Sequence, residues 1–146
     1  MTDSFSKQIE AIVNKNIKVL EAVAKQSIQD VVNRSQLQGP SVANPSGGKG
    51  GDMPVDTGFL RASGAGSLEG MPSGPSSNPQ KLPHKYSDNS VVSALANLKL
   101  GDTFYFGWTA DYALKTNVRY GFMDKAIQNW QGYVTKNAED AAKRMK

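Results

Sequence analysis

The heptapeptide Thr103-Phe104-Tyr105-Phe106-Gly107-Trp108-Thr109 is the clearest strand in the chain, because aromatic and β-branched residues fill it almost without interruption. Gly101-Asp102 directly before it is a turn signal. Further upstream, apolar residues between 89 and 98 recur at steps of three and four and predict a short helix. The segment 89–146 is therefore expected to hold a helix, this strand and a closing helix.

The closing helix is predicted over 120–143, after Asp111-Tyr112-Ala113-Leu114 and a connector that runs through Asn117. Its apolar residues share one face at the helical period: Phe122, Ala126, Trp130, Val134, Ala138, Ala141 and Met145. Gly132 weakens such a helix by up to about 1 kcal/mol. We therefore expect Gly132 to permit a close contact.

A first long helix is predicted over 3–37, which contains neither glycine nor proline. Its apolar residues follow steps of three and four: Phe5, Ile9, Ile12, Val13, Ile17, Leu20, Ala24, Ile28, Val31 and Val32. Gly39-Pro40 ends it, because glycine suits a left-handed cap and proline cannot continue the hydrogen-bond ladder. At about 50 Å in length, this helix is expected to pack along a sheet or against a neighbouring subunit.

The segment 39–85 is predicted to be an extended loop region, because all seven prolines and ten of the fourteen glycines lie between positions 39 and 83. Its parts 39–57 and 69–85 bury too few side chains to offset their ordering entropy alone. Between them, a turn near 58 leads into a predicted strand over 58–68. The predicted class is α+β: one domain over 1–146, with long N-terminal and C-terminal helices packed on a small antiparallel sheet.

Composition excludes several kinds of site. The 146 residues include no cysteine and one histidine, which rules out disulfides, thiolate zinc sites and a multi-histidine metal site within one chain. No apolar run approaches the roughly 18 residues of a membrane helix. The N-terminus lacks the order of a secretory signal, so we expect a protein of a reducing cytoplasm with no membrane partner.

The charge balance is 17 basic against 13 acidic residues, a net charge of +4. The densest basic group, Lys143, Arg144 and Lys146, is typical of a solvated helix end. A basic nucleic-acid-binding protein is the alternative, for which aromatic residues would stack on bases. The candidates for stacking are Trp108, Tyr112 and Trp130, although their positions fit core packing better.

The tripeptide Asp56-Thr57-Gly58 also occurs in the active-site loops of aspartic proteases, where two carboxylates share a water. In those enzymes the loop follows a buried apolar strand, whereas Asp52-Met53-Pro54 precedes it here. A turn is favoured, with Asp56 bonding its own backbone and Gly58 adopting positive φ. A small aspartic protease is the remote alternative.

Two further features of the sequence match no functional motif. The glycine-rich run 47–51 lacks the spacing of a phosphate-binding loop, and His84 is typical of a loop residue. The residues therefore predict no catalytic, cofactor-binding or metal-binding site. They favour a structural or interaction protein over an enzyme.

The order of three segments is more specific. Residues 54–63 are Pro-Val-Asp-Thr-Gly-Phe-Leu-Arg-Ala-Ser, residues 101–113 contain Gly-Asp-Thr-Phe-Tyr-Phe-Gly-Trp and Tyr-Ala, and Gly121-Phe122-Met123 opens an aromatic-led helix. Over Val55 to Ala138, together with the leading helix, this order resembles the minor tail components of tailed bacteriophages. These are the small head–tail joining proteins, also called tail-completion or tail-terminator proteins. Many relatives carry a glutamate in a "Tyr-Ala-x-x-x-Glu-x-Gly" pattern, which is missing after Ala113.

The resemblance implies a virion protein of the phage neck, assembled in the cytoplasm of the bacterial host. It would form a homo-oligomeric ring, a hexamer, that completes the tail and joins it to the head connector. Its partners would be further copies of itself, the tail tube protein and the connector or adaptor proteins, with DNA passing through the lumen non-specifically. The first helix and the sheet edge would supply the two faces of a ring contact, and the loops 39–57 and 69–85 would order on docking.

Overall fold

The computed structural model of the protein describes residues 2–42 and 44–144. Helices surround a two-stranded antiparallel sheet, which confirms the α+β class. In chain order the elements are α1 Thr2–Ser35, α2 Phe59–Ala62, β1 Gly64–Ser67, α3 Asn89–Asn97, β2 Tyr105–Trp108, α4 Ala113–Tyr120, α5 Phe122–Gln128 and α6 Trp130–Arg144. Within the described residues, no helix has the length and apolarity that a membrane crossing requires.

The sheet joins the predicted strand near 103–109 to the end of the 58–68 segment. Gly64 pairs with Trp108 and Ser67 with Tyr105. The expected strand over 58–68 is too long, because residues 59–62 form one helical turn, α2. Phe59 and Leu60 are both 4% exposed, whereas neighbouring residues of a strand point to opposite faces. A helical turn buries both.

The predicted closing helix is two helices, α5 and α6, and the connector before it is a third helix. The expected connector through Asn117 is α4, and Gly121, at φ 72°, ends α4 in the left-handed conformation. The buried side chain of Asn117 then accepts hydrogen bonds from the backbone N–H groups of Met123 and Asp124 in the first turn of α5. A second break at Asn129 separates α5 from α6.

Two expectations about α6 are also wrong. A Cβ at Gly132 would meet no atom of residues 2–42 and 44–144 within 4 Å, so this glycine permits no close contact with the described part of the subunit. The sequence predicts Trp130 in the core, but its side chain is 41% exposed. Met145 and Lys146 lie outside the described residues.

The core has two clusters that meet at β2. One contains Met53, Phe59, Leu60, Ala110 and Phe122; the other contains Val32, Val91, Leu95 and Leu98. The ring of Trp108 lies edge-on to Phe122 at 4.9 Å and to Phe106 at 5.0 Å between centroids. Because Phe106 packs on the second cluster and Trp108 on the first, these rings join them, and core packing of Trp108 is confirmed.

Gln36 fastens the end of α1 to this core. Its side chain is 2% exposed, and its Nε2 donates to the carbonyl of Arg61 at 2.9 Å. Its Oε1 accepts a hydrogen bond from Trp108 Nε1 at 2.8 Å. The guanidinium Nε of Arg61 donates in return to the Gln36 carbonyl at 2.8 Å. One amide thus connects α1, α2 and β2.

The predicted loop 39–57 is held against the end of α1. Its backbone forms a parallel bridge between Gln38 and Met53, and Met53, inside the loop, is 0% exposed. A Cβ on Gly39 or Gly51 would collide with the backbone opposite. Glycine at these two positions therefore allows two backbone segments to approach closely, so the composition that predicts an unpacked loop here permits packing.

Asp52 adds an ionic contact between the loop and two helices. Its carboxylate lies 2.7 Å from Arg34 Nη2 and 3.0 Å from Lys125 Nζ. Burial pulls the pKa of Asp52 upward, but the hydrogen bonds and positive charges of Lys125 and Arg34 outweigh burial and lower it below the ordinary 3.8. The ionised carboxylate is therefore favoured in the folded state.

Replacing Gln36 by alanine tests the amide connection. We expect Gln36→Ala to lower the free energy of unfolding by about 2–3 kcal/mol, because Trp108 Nε1 and the Arg61 carbonyl lose their partner. Urea denaturation measures the change. Gln8→Ala, on the exposed half of α1, is the control and should change stability by less than about 0.5 kcal/mol. Equal losses in both variants would contradict the role of Gln36.

Replacing Asp52 by asparagine tests the ionic contact. We expect Asp52→Asn to lose about 1–2 kcal/mol at pH 7, since a charged hydrogen-bond acceptor is removed. Because the folded pKa of Asp52 is below 3.8, its contribution is complete above that pH and is lost as pH falls through the folded pKa. Urea denaturation from pH 7 to pH 3 should show the two proteins converging only at the acid end. A difference independent of pH would refute this, with Glu10→Gln as the control carboxylate.

Candidate assembly surfaces

The Asp56-Thr57-Gly58 segment turns the chain with Gly58 at positive φ, as the sequence predicts, but the side chain that bonds the backbone there is Thr57 rather than Asp56. Gly58 has φ 84° and leads directly into α2, while Thr57 Oγ1 accepts a hydrogen bond from the backbone N–H of Phe59 at 3.2 Å. The backbone N–H of His84 donates to the Thr57 carbonyl at 2.8 Å, and the His84 ring lies edge-on to Phe59 at 5.1 Å. His84 thus fastens the end of the 69–85 loop to this turn.

A groove of about 490 Å³ lies beside the turn, between the 39–57 loop and α4. Asp56, Lys81, Tyr112 and Tyr120 contribute its polar groups. Burial, together with the negative charges of Asp111 and Asp56, raises the pKa of Tyr112 above 10.0 despite a hydrogen bond with Leu60. The Tyr112 phenol is thus held neutral, and the groove offers one exposed carboxylate rather than a pair.

The most extensive apolar surface lies on the N-terminal half of α1. Six large apolar side chains that the sequence places on one face are exposed there instead of packed. We call this set the α1 stripe: Phe5 66%, Ile9 46%, Ile12 58%, Val13 49%, Ile17 38% and Leu20 56% exposed. The helix pattern was predicted correctly, but its first half has no cover within the described part of the subunit.

A second apolar surface lies on α4, where the sequence predicted a connector. Leu114 is 73% exposed and Val118 is 79% exposed, and they lie one helical turn apart. We call them the α4 patch. Their four-residue spacing is a sequence signal for a helix, which the prediction of a connector missed.

An apolar groove of about 210 Å³ forms a third surface, between α1, β2 and α5. Val31 and Phe106 lie in it, with Ile127 and Trp130 at 55% and 41% exposure. Tyr112, at 40% exposure, likewise lies at the surface. The expectation that Trp130 and Tyr112 pack in the core is therefore wrong: Tyr112 lies at the N-terminal end of α4 and Trp130 at the N-terminal end of α6, and both are exposed.

The basic residues are spread over several elements, and some of them, Lys7, Lys15, Lys18 and Lys115, share a helix with the α1 stripe or the α4 patch. Lys143 and Arg144 are exposed in the last turn of α6, as expected for a solvated helix end; Lys146 lies outside the described residues. Arg34 is held by Asp52, and the Arg61 guanidinium lies 5.5 Å from the centroid of the Tyr86 ring. Several cations are therefore engaged in contacts within the subunit.

Comparison with protein-family models, curated proteins and solved structures found no match. Function must therefore be argued from the described residues themselves: the turn at 56–58, the α1 stripe, the α4 patch, the apolar groove beside β2 and the groove that holds the Asp56 carboxylate. Of these, the sequence predicted the turn at Asp56 and the apolar pattern of α1. It gave no sign of the roles of Gln36 and Asp52, because their partners lie far away in the chain.

Alanine at Gly58 tests whether the Asp56 turn depends on its contact with the 69–85 loop. We expect Gly58→Ala to destabilise more than Gly101→Ala, although both glycines have positive φ and both variants lose about 1–2 kcal/mol to left-handed strain. Only at position 58 would the new Cβ also collide with the carbonyl of His84; position 101 is open. Urea denaturation compares the variants, and equal losses would refute the steric constraint.

Proposed function

We propose that this protein is a structural subunit of the neck of a tailed phage or phage-like particle. It associates with copies of itself into a ring that completes the tail and joins it to the head connector. The observation that carries the proposal is the exposure of the α1 stripe and the α4 patch on one small subunit. A monomer rarely exposes large contiguous apolar surfaces without using them in contacts.

The separation of the two surfaces favours a ring over a simple pair. A closed ring can be built from pairs of copies, when one surface joins two copies and a second surface joins the pairs to each other. The α1 stripe and the α4 patch lie on different helices. The outer edge of β1 is not free, because the backbone N–H of Gly66 donates to Ser90 Oγ of α3 at 3.1 Å, so the helix surfaces rather than the sheet supply the contacts in this proposal.

The order of the sequence motifs supports the phage context. The turn at 56–58, the strand β2 and the aromatic start of α5 occur in the order that the tail-completion family uses. In this role the partners are the tail tube protein and the connector or adaptor proteins, and DNA passes through the lumen without sequence recognition. The 69–85 loop, fastened at Thr57 and at Thr109, would dock on these partners.

Ring formation is the first test of the proposal. We expect the purified protein to sediment as one oligomer and to appear as closed rings in negative stain, and we expect the rings to bind isolated tail tubes. Leu114→Glu should lower the oligomer mass, because it places a charge in the α4 patch. Lys115→Glu introduces the same side chain one position away and should leave the mass unchanged. A monomer at every concentration that also fails to bind tail tubes would overturn the proposal.

The two alternatives predict other measurements. A nucleic-acid-binding protein would show DNA affinity that falls steeply with salt. An aspartic protease would cleave peptides at acid pH and lose that activity in Asp56→Asn. We expect the wild type to bind DNA only weakly. We expect neither the wild type nor Asp56→Asn to cleave peptides.

A further inference from the structure

The N-terminal half of α1 extends past the body of the subunit. α1 has 34 residues and is about 51 Å long. Every residue from Ser4 to Lys18 is exposed. The first hydrogen bond from α1 to another element joins Glu21 to the backbone of Leu100, and the first buried residue is Ser27. More than four turns of helix therefore stand without a neighbour among the described residues.

This exposed half is amphipathic although nothing covers it. The α1 stripe follows helical spacing, and the charged residues lie on the remaining faces of the same turns: Lys7, Glu10, Lys15 and Lys18. An isolated helix of this length is marginal in water, and helices in proteins gain most of their stability from packing an apolar face. The pattern is therefore that of a helix with a partner.

Leu20, the last residue of the α1 stripe, lies about level with the C-terminal end of α6. Asn137 of α6 donates hydrogen bonds to Ser27 at 3.1 Å and to Asp30 at 3.0 Å, on the face that continues the stripe. Arg144, the last described residue of α6, is seven residues beyond Asn137, and Leu20 is seven residues before Ser27. Tyr133 borders Arg34 and Leu37, so the helices run antiparallel. A second helix in line with α6 would cover the stripe.

We infer that the α1 stripe is covered by the α1 stripe of a second copy of this chain. The inference rests on the self-association in the proposed function and names the contact that supplies it. The stripes of two copies have the same length and the same apolar residues, and neither has a charged residue along its centre. Pairing them therefore covers both.

The exposed area of the stripe supplies most of what such a pair needs. The six side chains, five of them aliphatic, are 38% to 66% exposed and together present up to about 400 Å² of apolar surface per copy, since burying one such side chain contributes about 1.5–3 kcal/mol at about 25 cal/mol per Å². Two copies together therefore present up to about 800 Å², most of the roughly 1,000 Å² of a specific interface. The stripe is also nearly symmetric, because Phe5 lies seven residues before Ile12 and Leu20 seven after Val13. The midpoints of the two stripes therefore meet whether the helices pair in a parallel or an antiparallel direction.

Single cysteines test the pairing directly, because the chain has none of its own. Val13→Cys places a thiol at the midpoint of the stripe with little change in size. Ala11→Cys places one on the opposite, exposed face of the same turn. Under mild oxidation of the full-length protein, we expect a disulfide-linked dimer from Val13→Cys and at least tenfold less from Ala11→Cys. Equal cross-linking of both variants, or of neither, overturns the inference.

Two glutamate substitutions, one on the stripe and one on the opposite face, complete the experiment. Ile12→Glu should lower the oligomer mass in sedimentation, whereas Ala11→Glu should not, and circular dichroism checks that both variants remain folded. If the wild type assembles and Ile12→Glu leaves the mass intact, the α1 pairing is wrong and the ring stands. If Ile12→Glu dissociates the oligomer but Val13→Cys does not cross-link, another surface covers the stripe and the inference fails. Cross-linked α1 dimers without rings would instead overturn the neck function alone.

Discussion

The buried amide of Gln36 is the contact on which the arrangement of this small protein depends. It sits one residue beyond α1, donates to α2 at Arg61 and accepts from Trp108 in β2. Trp108 in turn joins the two core clusters through its ring contacts. Because a buried amide without partners is costly, the end of α1 has one position relative to the sheet. That position fixes where the rest of α1 extends.

Fixing α1 at its C-terminal end divides the helix into two halves with different surroundings. The C-terminal half is covered by α6, with Asn137 bonded to Ser27 and Asp30. The N-terminal half leaves the body with its apolar stripe exposed. The same amphipathic pattern therefore serves folding in one half and, under the proposed function, assembly in the other. Under that proposal, part of the interface is a helix that is already formed in the single subunit.

Glycine has opposite effects in different parts of the chain. Gly39 and Gly51 let two backbone segments meet, which places Met53 in the core and brings Asp52 to Arg34 and Lys125. A Cβ at Gly132 would meet no atom of the described residues within 4 Å. Counting glycines therefore predicts neither order nor disorder. The outcome depends on whether another backbone approaches the missing side chain, and that partner is set by the whole fold.

The sequence by itself determined the local elements: the helix α1, the helix α3, the strand β2 and the turn at Asp56-Thr57-Gly58. Each depends on contacts between residues a few positions apart, so each leaves a period or a turn motif in the sequence. Only the tertiary structure decided that the 39–57 loop packs, that the connector before the closing helix is itself a helix ending at Gly121, and that the α1 stripe and the α4 patch are exposed. These outcomes depend on single polar contacts and close backbone approaches between distant residues. Such contacts have no spacing that repeats along the chain.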